Sequence, residues 1–266
     1  MIAPRTPDVL IIESEDVYRS KAATHLTSHR LADFRRNPPL FRKKELGLVA
    51  EEDRPAYQIG RAAHALILEG REVFENRYAV GGPVNPKTGE VFGERTKAYA
   101  EWAEAQGKPV LTTEQNVLVE QMAASVRAHK CAAELLADGV AEGVVRTEYA
   151  GMPCQARLDW VHPGRGLVDL KTCDSLDWLD TDAKCYGYAH QLAFYRSMLA
   201  AVTGESVPVF IIAVEKREPF RTGVWLMGLN ILAVGQRENE RAMTWLAMCR
   251  KTDTWPSGYE ELRTLD

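Results

Sequence analysis

Apolar residues recur at helical spacing through the first half of the chain. They form one broad face from Tyr57 to Glu69, and Gly70 follows directly, as is typical of a helix C-terminus. A further helix is predicted from Ser28 to Arg36, because Thr27 can cap its start and Asn37-Pro38-Pro39 prevents its continuation. After a turn-rich segment, the remaining helices of this half are predicted near Glu94–Gln106 and Glu114–Leu136.

Strand patterns dominate after about residue 140. Three short segments rich in β-forming residues are separated by tight turns, which predicts an antiparallel meander over Glu142–Tyr149, Met152–Val161 and Gly166–Lys171. A helix at Asp182–Ala201, strands at Val207–Glu215 and Thr222–Gly228, and a helix at Leu229–Arg250 follow. This order predicts an α/β fold with a mixed central β-sheet flanked by helices and a helical N-terminal elaboration. We expect one domain over residues 1–266, with a helical, basic part at about 1–140 and a core at about 141–251.

The composition is that of an ordinary globular protein. Hydrophobic residues make up 45% and charged residues 26% of the 266 residues. The longest apolar run, Val209 to Val214, is much shorter than a membrane helix, and no signal pattern begins the chain. We therefore expect a cytoplasmic protein without a membrane partner. The five cysteines are scattered without a Cys-x-x-Cys pair, which argues against a zinc site or an iron–sulfur cluster.

Charge is unevenly distributed along the chain. The net charge is −4, from 37 acidic and 33 basic residues. Between Arg19 and Lys44, however, eight Lys or Arg residues stand against the single acid Asp33. This cluster is either a solvated helix face or the basic surface of a polyanion-binding protein, and the sequence leaves both interpretations open.

The meander brings three acids into one row if its turns are short. With residues 163–165 as the turn, Asp159 lies opposite Asp169, because directly opposed positions of a hairpin have residue numbers with a constant sum. With residues 150–151 as the turn, Glu142 lies opposite Asp159. Like charges at such positions are destabilising unless something compensates them, and a Mg²⁺ ion prefers carboxylate ligands.

A lysine accompanies these acids. Lys171 is two residues beyond Asp169, so both project from the same face, where the ammonium can stabilise a hydroxide nucleophile or the charge on a phosphate. Another register would place Glu148 in the position of Glu142. It also remains open here whether the acids face solvent or form ordinary ion pairs with Arg157 or Lys171.

The spacing Asp159-x9-Asp169-Leu170-Lys171 resembles the signature of PD-(D/E)xK nucleases. The wider chain is similar to the RecE-type (exonuclease VIII-like) branch of bacteria and phages. Two positions depart from the pattern: Leu158 stands where the family often has Pro, and Asp169 where many members have Glu. The other segments that carry the resemblance are Phe34–Pro39, Ile59–Leu66, Gly151–Asp159, Gln191–Tyr195 and Trp255-Pro256.

The resemblance implies a restriction-endonuclease-like core and a role for each matching residue. The implied cofactor is Mg²⁺, with Mn²⁺ as an alternative, at two ions per site. The implied metal ligands are His64, Asp159, Asp169, the Leu170 carbonyl and Glu142. The implied catalytic residues are Asp159, Asp169, Lys171, Gln191 and Tyr195. The implied DNA-binding residues are Arg30, Arg35, Arg36, Arg42, Lys43 and Lys44. A packed core histidine at 64 and an ordinary amphipathic helix at 191–195 are the structural alternatives.

The activity implied is that of a Mg²⁺-dependent exodeoxyribonuclease. Such an enzyme degrades linear double-stranded DNA from its ends, 5′→3′, and leaves 3′ single strands for recombination by strand annealing. The resemblance also implies a ring-like homo-oligomer and a single-strand annealing protein as partner. Two other functions stay open from the residues: an endonuclease that uses the same metal site, and a DNA-binding module whose catalytic site is vestigial.

Overall fold

A five-stranded mixed sheet forms the centre of the protein. The computed structural model describes residues 6–49 and 56–264. The strands are β1 (Ala79–Val80), β2 (Val110–Leu111), β3 (Val140–Tyr149), β4 (Met152–His162), β5 (Gly166–Cys173), β6 (Val209–Glu215) and β7 (Thr222–Leu226). The central sheet has the order β3-β4-β5-β6-β7, in which β5 and β6 are parallel and the other neighbours antiparallel, while β1 and β2 form a separate parallel pair.

The two turns of the meander set its register. Ala150 and Gly151 both have positive φ, the backbone of a two-residue hairpin turn, and Tyr149 pairs with Met152. At the next turn, His162 pairs with Gly166 across residues 163–165. Both turn lengths are those expected from the sequence, and the predicted register of β3 and β4 is confirmed. The ladder between β4 and β5 ends at Trp160 and Val168, so the expected pairing of Asp159 with Asp169 does not form.

Helices cover both faces of the sheet. They are α1 (Glu15–Lys21), α2 (Ser28–Arg36), α3 (Pro38–Glu45), α4 (Ala56–His64), α5 (Arg71–Arg77), α6 (Lys97–Gln106), α7 (Thr113–Ala128), α8 (Lys130–Leu135), α9 (Leu179–Cys185), α10 (Tyr188–Thr203) and α11 (Leu229–Thr252). A π-helical turn, Ala65–Glu69, continues α4 to Gly70. None of the helices within the described ranges is both long and apolar enough to cross a lipid bilayer.

Three helical predictions needed correction. Asn37 and Pro38 end α2 as expected, but they also begin α3: the Asn37 side chain caps Leu40 N at 3.0 Å, and proline is favoured in a first helical turn. The helix predicted over residues 114–136 is divided at His129, whose own side chain caps α8. The helix predicted over residues 182–201 is divided at Gly187, which separates α9 from α10.

The core has two layers, one on each side of the sheet. On one side α10 packs directly against the sheet, and α11, α2 and α3 complete the layer that buries Leu158, Val161 and Leu167. On the other side α4, α7 and the π-helical turn pack against Val168 and Leu170. Because β5 alternates faces, Asp169 and Lys171 project toward α10.

Candidate active site

Three side chains from three elements meet at one edge of the central sheet. His64 ends α4, Glu142 lies on β3 and Asp159 on β4, and one ligand atom from each lies within 4.8 Å of the others. His64 Nδ1 is 3.6 Å from Asp159 Oδ2. An imidazole and two carboxylates at these separations are a donor set that suits Mg²⁺ or Mn²⁺.

A close approach of helix to sheet brings His64 to this position. Gly60 lies one turn before His64 on α4, and a Cβ at Gly60 would stand only 3.3 Å from Thr172 Oγ1 on β5. A side chain there would crowd the contact between α4 and the strand. The Gly60-x-x-x-His64 spacing therefore has a packing reason: glycine lets the helix approach the strand, and the histidine one turn later reaches the acids.

The register places Glu142 opposite Asp159. Ladder pairs occur on both sides, Ala141 with Trp160 and Gly143 with Leu158, whereas Glu142 itself has a positive φ of 53° and interrupts the ladder. The alternative acid Glu148 is exposed at the far end of β3. Glu142, rather than Glu148, therefore joins the group.

Asp169 and Lys171 form a second, deeper part of the site. Asp169 is 1% exposed, and its Oδ2 lies 2.6 Å from Lys171 Nζ. Neither Asp169 oxygen has an aligned hydrogen-bond donor among the described residues. Lys171 Nζ donates to Gln191 Oε1 at 3.0 Å, Gln191 Nε2 donates to Tyr195 Oη at 3.0 Å, and the ammonium lies 4.9 Å from the centre of the Tyr188 ring. The predicted glutamine and tyrosine therefore contact the lysine directly or through one hydrogen bond.

The crowded carboxylates compete for protons. Burial and the neighbouring Asp159 raise the pKa of Glu142 to about 8, and burial raises the pKa of Asp169 to about 6 despite Lys171. Burial also lowers the pKa of His64 to about 4, so its imidazole is neutral and free to act as a ligand. Burial opposes the charge on Lys171, but the Asp169 and Asp159 carboxylates together raise its pKa. A bound divalent cation would relieve this repulsion, so the residues present fit such an ion.

The backbone of Leu170 also takes part in the site. Leu170 N donates to Asp159 Oδ2 at 2.9 Å, which ties the two strands together where their ladder ends. The Leu170 side chain is fully buried on the opposite face, so a contribution to a metal site can come only from its backbone. Its carbonyl as a ligand stays a prediction.

A cleft of about 490 Å³ opens over His64, Glu142 and Asp159. Of the six cations predicted to bind DNA, only Arg30 lines it, while Arg36 and Lys43 are exposed elsewhere. The other three are engaged within the protein: Arg42 with Glu45 at 3.0 Å, Lys44 with Asp33 at 2.6 Å, and Arg35 with Asn239 at 2.6 Å. Arg30 also lies 3.5 Å from Glu45. The DNA-binding role of the cluster stays a prediction.

The cleft has arginines that the sequence analysis did not select. They come from four different elements and are Arg19, Arg61, Arg77 and Arg157, in addition to Arg30. A signal existed for two of them. Arg61 is three residues before His64 on the same helix, and Arg157 is two residues before Asp159 on the same strand, so each shares a face with a predicted ligand.

The chain is similar to known proteins in sequence and in fold. Residues 29–265 match the model of a family described as a PDDEXK-like domain of unknown function (DUF3799). The chain belongs to this family. This membership confirms the PD-(D/E)xK superfamily that Asp159, Asp169 and Lys171 predict. The RecE-type branch within that superfamily stays a prediction. A search of curated proteins finds no match.

A solved structure has the same fold as this PDDEXK-like chain. It is the crystal structure of a protein from Eubacterium rectale described as a candidate exonuclease. The two chains are 16% identical, the TM-score is 0.70, and the match covers 96% of each. At this identity the match shows the fold alone, and it confirms the predicted restriction-endonuclease-like arrangement of a mixed sheet flanked by helices.

Proposed function

We propose that the protein is a divalent-cation-dependent exodeoxyribonuclease that hydrolyses phosphodiester bonds at the ends of linear double-stranded DNA. One observation carries the proposal: His64, Glu142 and Asp159 converge beside the buried pair of Asp169 and Lys171. Family membership supports the reaction class, because the same acids and lysine occupy the positions of the PD-(D/E)xK signature.

Each residue of the site has a distinct task in this proposal. His64, Glu142 and Asp159 would hold the cation, with Asp169 as a further acid beside them; when bound, the cation supplies charge neutralisation and activation of a water molecule. Lys171 carries the positive charge that faces the phosphate as negative charge accumulates in the transition state. Asp169 and Gln191 fix the position of its ammonium at 2.6 Å and 3.0 Å.

The finer parts of the proposal rest on the resemblance to RecE-type nucleases. They are the 5′→3′ direction, the 3′ single-stranded product, the ring-like homo-oligomer and the single-strand annealing partner. The arginines of the cleft support a polyanionic substrate, because guanidinium groups contact phosphates without reading the sequence of the bases. Magnesium and manganese both suit the donor set, and we propose magnesium as the cation.

An end-labelled linear duplex tests the proposal. We expect digestion with Mg²⁺ and none with chelator, immediate release of label from the 5′ end, and late release from the 3′ end. Covalently closed plasmid separates the alternatives, since an exonuclease leaves the circle intact and an endonuclease opens it.

Asp169→Ala should lose cleavage, whereas Asp174→Ala, which changes an exposed acid paired with Lys216, should keep it. Undiminished cleavage by Asp169→Ala would refute the assignment of the site, and a wild type that binds duplex without cleaving it would favour a vestigial site.

A further inference from the structure

Arg157 lies between two acids on the wall of the cleft. It precedes Asp159 by two residues on β4, and its side chain is 13% exposed. Arg157 Nε is 2.9 Å from Glu142 Oε2, and one terminal nitrogen is 3.7 Å from Glu15 Oε2. A largely buried guanidinium therefore shares its charge between a candidate metal ligand and an acid of α1.

These contacts are close but poorly aligned. Within the described chain, Arg157 Nε has no hydrogen-bond partner of good geometry, and the contact to Glu15 is longer than a hydrogen bond. Arg77 on the same cleft wall is different, because it makes two aligned bonds to Glu69 at 2.7 and 2.9 Å. Arg77 is held firmly by its own acid, whereas Arg157 can leave its partners at a lower cost.

We infer that Arg157 exchanges its carboxylate partners for a phosphate of the nucleic acid when a divalent cation takes Glu142. This inference rests on the proposed function. A carboxylate turned toward a divalent cation no longer neutralises the guanidinium, and a buried charge without a partner is costly. A phosphodiester restores the pairing, since its oxygens match the planar fork of arginine.

The Glu15 carboxylate occupies the position beside Arg157 in which that phosphate would bind. It begins α1, pairs with Arg19 on its own helix, and brings its carboxylate into the cleft beside Arg157. Every side chain of α1 is at least partly exposed, and the helix is tied to β4 through the Tyr18 carbonyl, which accepts from Gln155 Nε2 at 2.9 Å. An incoming phosphate displaces a carboxylate of the protein here rather than water alone, and Glu15 therefore weakens substrate binding.

The exchange couples two binding events. Arg157 competes with the cation for Glu142, so it weakens cation binding in the absence of nucleic acid, and it strengthens nucleic-acid binding once the cation is present. By linkage, each ligand then raises the affinity of the other. Removing the guanidinium should change the two affinities in opposite directions, which a residue with a purely structural role would not do.

Calorimetry with Mn²⁺ alone and fluorescence anisotropy with a labelled blunt duplex test the inference without turnover. Anisotropy is measured in EDTA and in Ca²⁺, with cleavage checked on gels. For Arg157→Gln we expect Mn²⁺ binding about threefold to tenfold tighter and duplex binding about tenfold weaker, both within the usual range of coupling energies. The slope of log affinity against log salt should fall by about 0.9, as for one lost phosphate contact.

Glu15→Gln provides a second variant that removes no buried charge. We expect duplex binding about threefold tighter in EDTA, as for one relieved competing pair, and unchanged Mn²⁺ affinity. The matched control is Glu13→Gln, whose partner is Arg146 and which does not line the cleft; its duplex affinity should equal that of the wild type.

The outcomes separate the inference from the function on which it rests. A wild-type protein that fails to bind duplex under any condition overturns both. A wild type that binds duplex, with Arg157→Gln unchanged in duplex affinity and salt slope, or with weaker Mn²⁺ binding, overturns the inference alone. If Arg157→Gln does not fold, Glu15→Gln and Glu13→Gln with equal duplex affinities overturn it.

Discussion

The acids of the site should make the cation-free protein less stable as the pH rises above neutrality. Glu142 and Asp159 together retain one proton in the folded protein, since burial and mutual repulsion raise the pKa of Glu142 to about 8. In the unfolded chain a glutamate gives up its proton near pH 4.3. The folded state thus binds more protons than the unfolded state up to about pH 8, and stability falls with pH in that range.

The pH range in which Glu142 and Asp159 dominate the change in stability begins at about pH 6.5. The pKa of His64 is lowered to about 4, so this group adds stability with rising pH, but only until the unfolded imidazole has lost its proton near pH 6.5. The raised pKa of Asp169, about 6, acts mainly below the same point. From pH 6.5 to pH 8 the proton shared by Glu142 and Asp159 dominates, and its loss costs roughly 1.5 kcal/mol of the free energy of unfolding.

Urea unfolding in EDTA, followed by tryptophan fluorescence, measures this loss. The control is Glu142→Gln, which keeps the shape of the side chain and removes its titration. We expect the free energy of unfolding of the wild type to fall by about 1.5 kcal/mol relative to this variant between pH 6.5 and pH 8. Mg²⁺ should abolish the difference in slope, because a bound cation keeps both carboxylates ionised. Parallel curves in EDTA would refute the raised pKa and the crowding of the acids.

Three further predictions concern single contacts. Asp159→Asn should abolish cleavage with nearly wild-type stability because its amide oxygen can still accept from Leu170 N, whereas Asp159→Ala leaves that donor without a partner and costs about 1–3 kcal/mol in chemical denaturation. Gln191→Leu should lower kcat about tenfold with little change in KM in a steady-state nuclease assay, since it removes the hydrogen bond that positions Lys171. Hydrogen bonds from the Arg221 side chain lower the pKa of Glu215 to about 2. Glu215 should therefore add stability that is lost as the pH falls from about 4.5 to 2. Glu215→Gln should flatten that part of the plot of unfolding free energy against pH.

The sequence predicted the parts of the site that depend on local rules. Turn lengths at residues 150–151 and 163–165 determine the register of the meander, and the register of β3 and β4 places Glu142 opposite Asp159. Each of these steps uses only neighbours in the chain and the alternation of a strand. The same rules could not choose between Glu142 and Glu148 without knowing where the turn began.

The charged surface was harder to predict for a physical reason. The density of lysines and arginines pointed to residues 30–44, but Arg30 pairs with Glu45, just beyond that segment, and Arg42 pairs with Asp253, the residue that follows α11. Lys44 pairs with Asp33 inside the segment. Whether a cation faces a ligand depends on such tertiary pairs. The arginines of the cleft come from separate elements, so their convergence has no signature in any one segment.

The site depends on the point at which β4 and β5 stop pairing, because the acids do not stand in one row beyond it. Regular pairing between β4 and β5 ends at Trp160 and Val168, one residue before Asp159 and Asp169 would pair. From there the Asp159 side chain, rather than a backbone carbonyl, accepts the hydrogen bond of Leu170 N. A continued ladder would hold the two acids about 5 Å apart at Cβ, facing each other along the sheet surface. The divergence instead leaves one oxygen of Asp159 bound to the strand and directs the carboxylate toward His64 and the cleft, while Asp169 stays buried beside Lys171. The fold therefore separates the two like charges and turns only Asp159 toward the cleft.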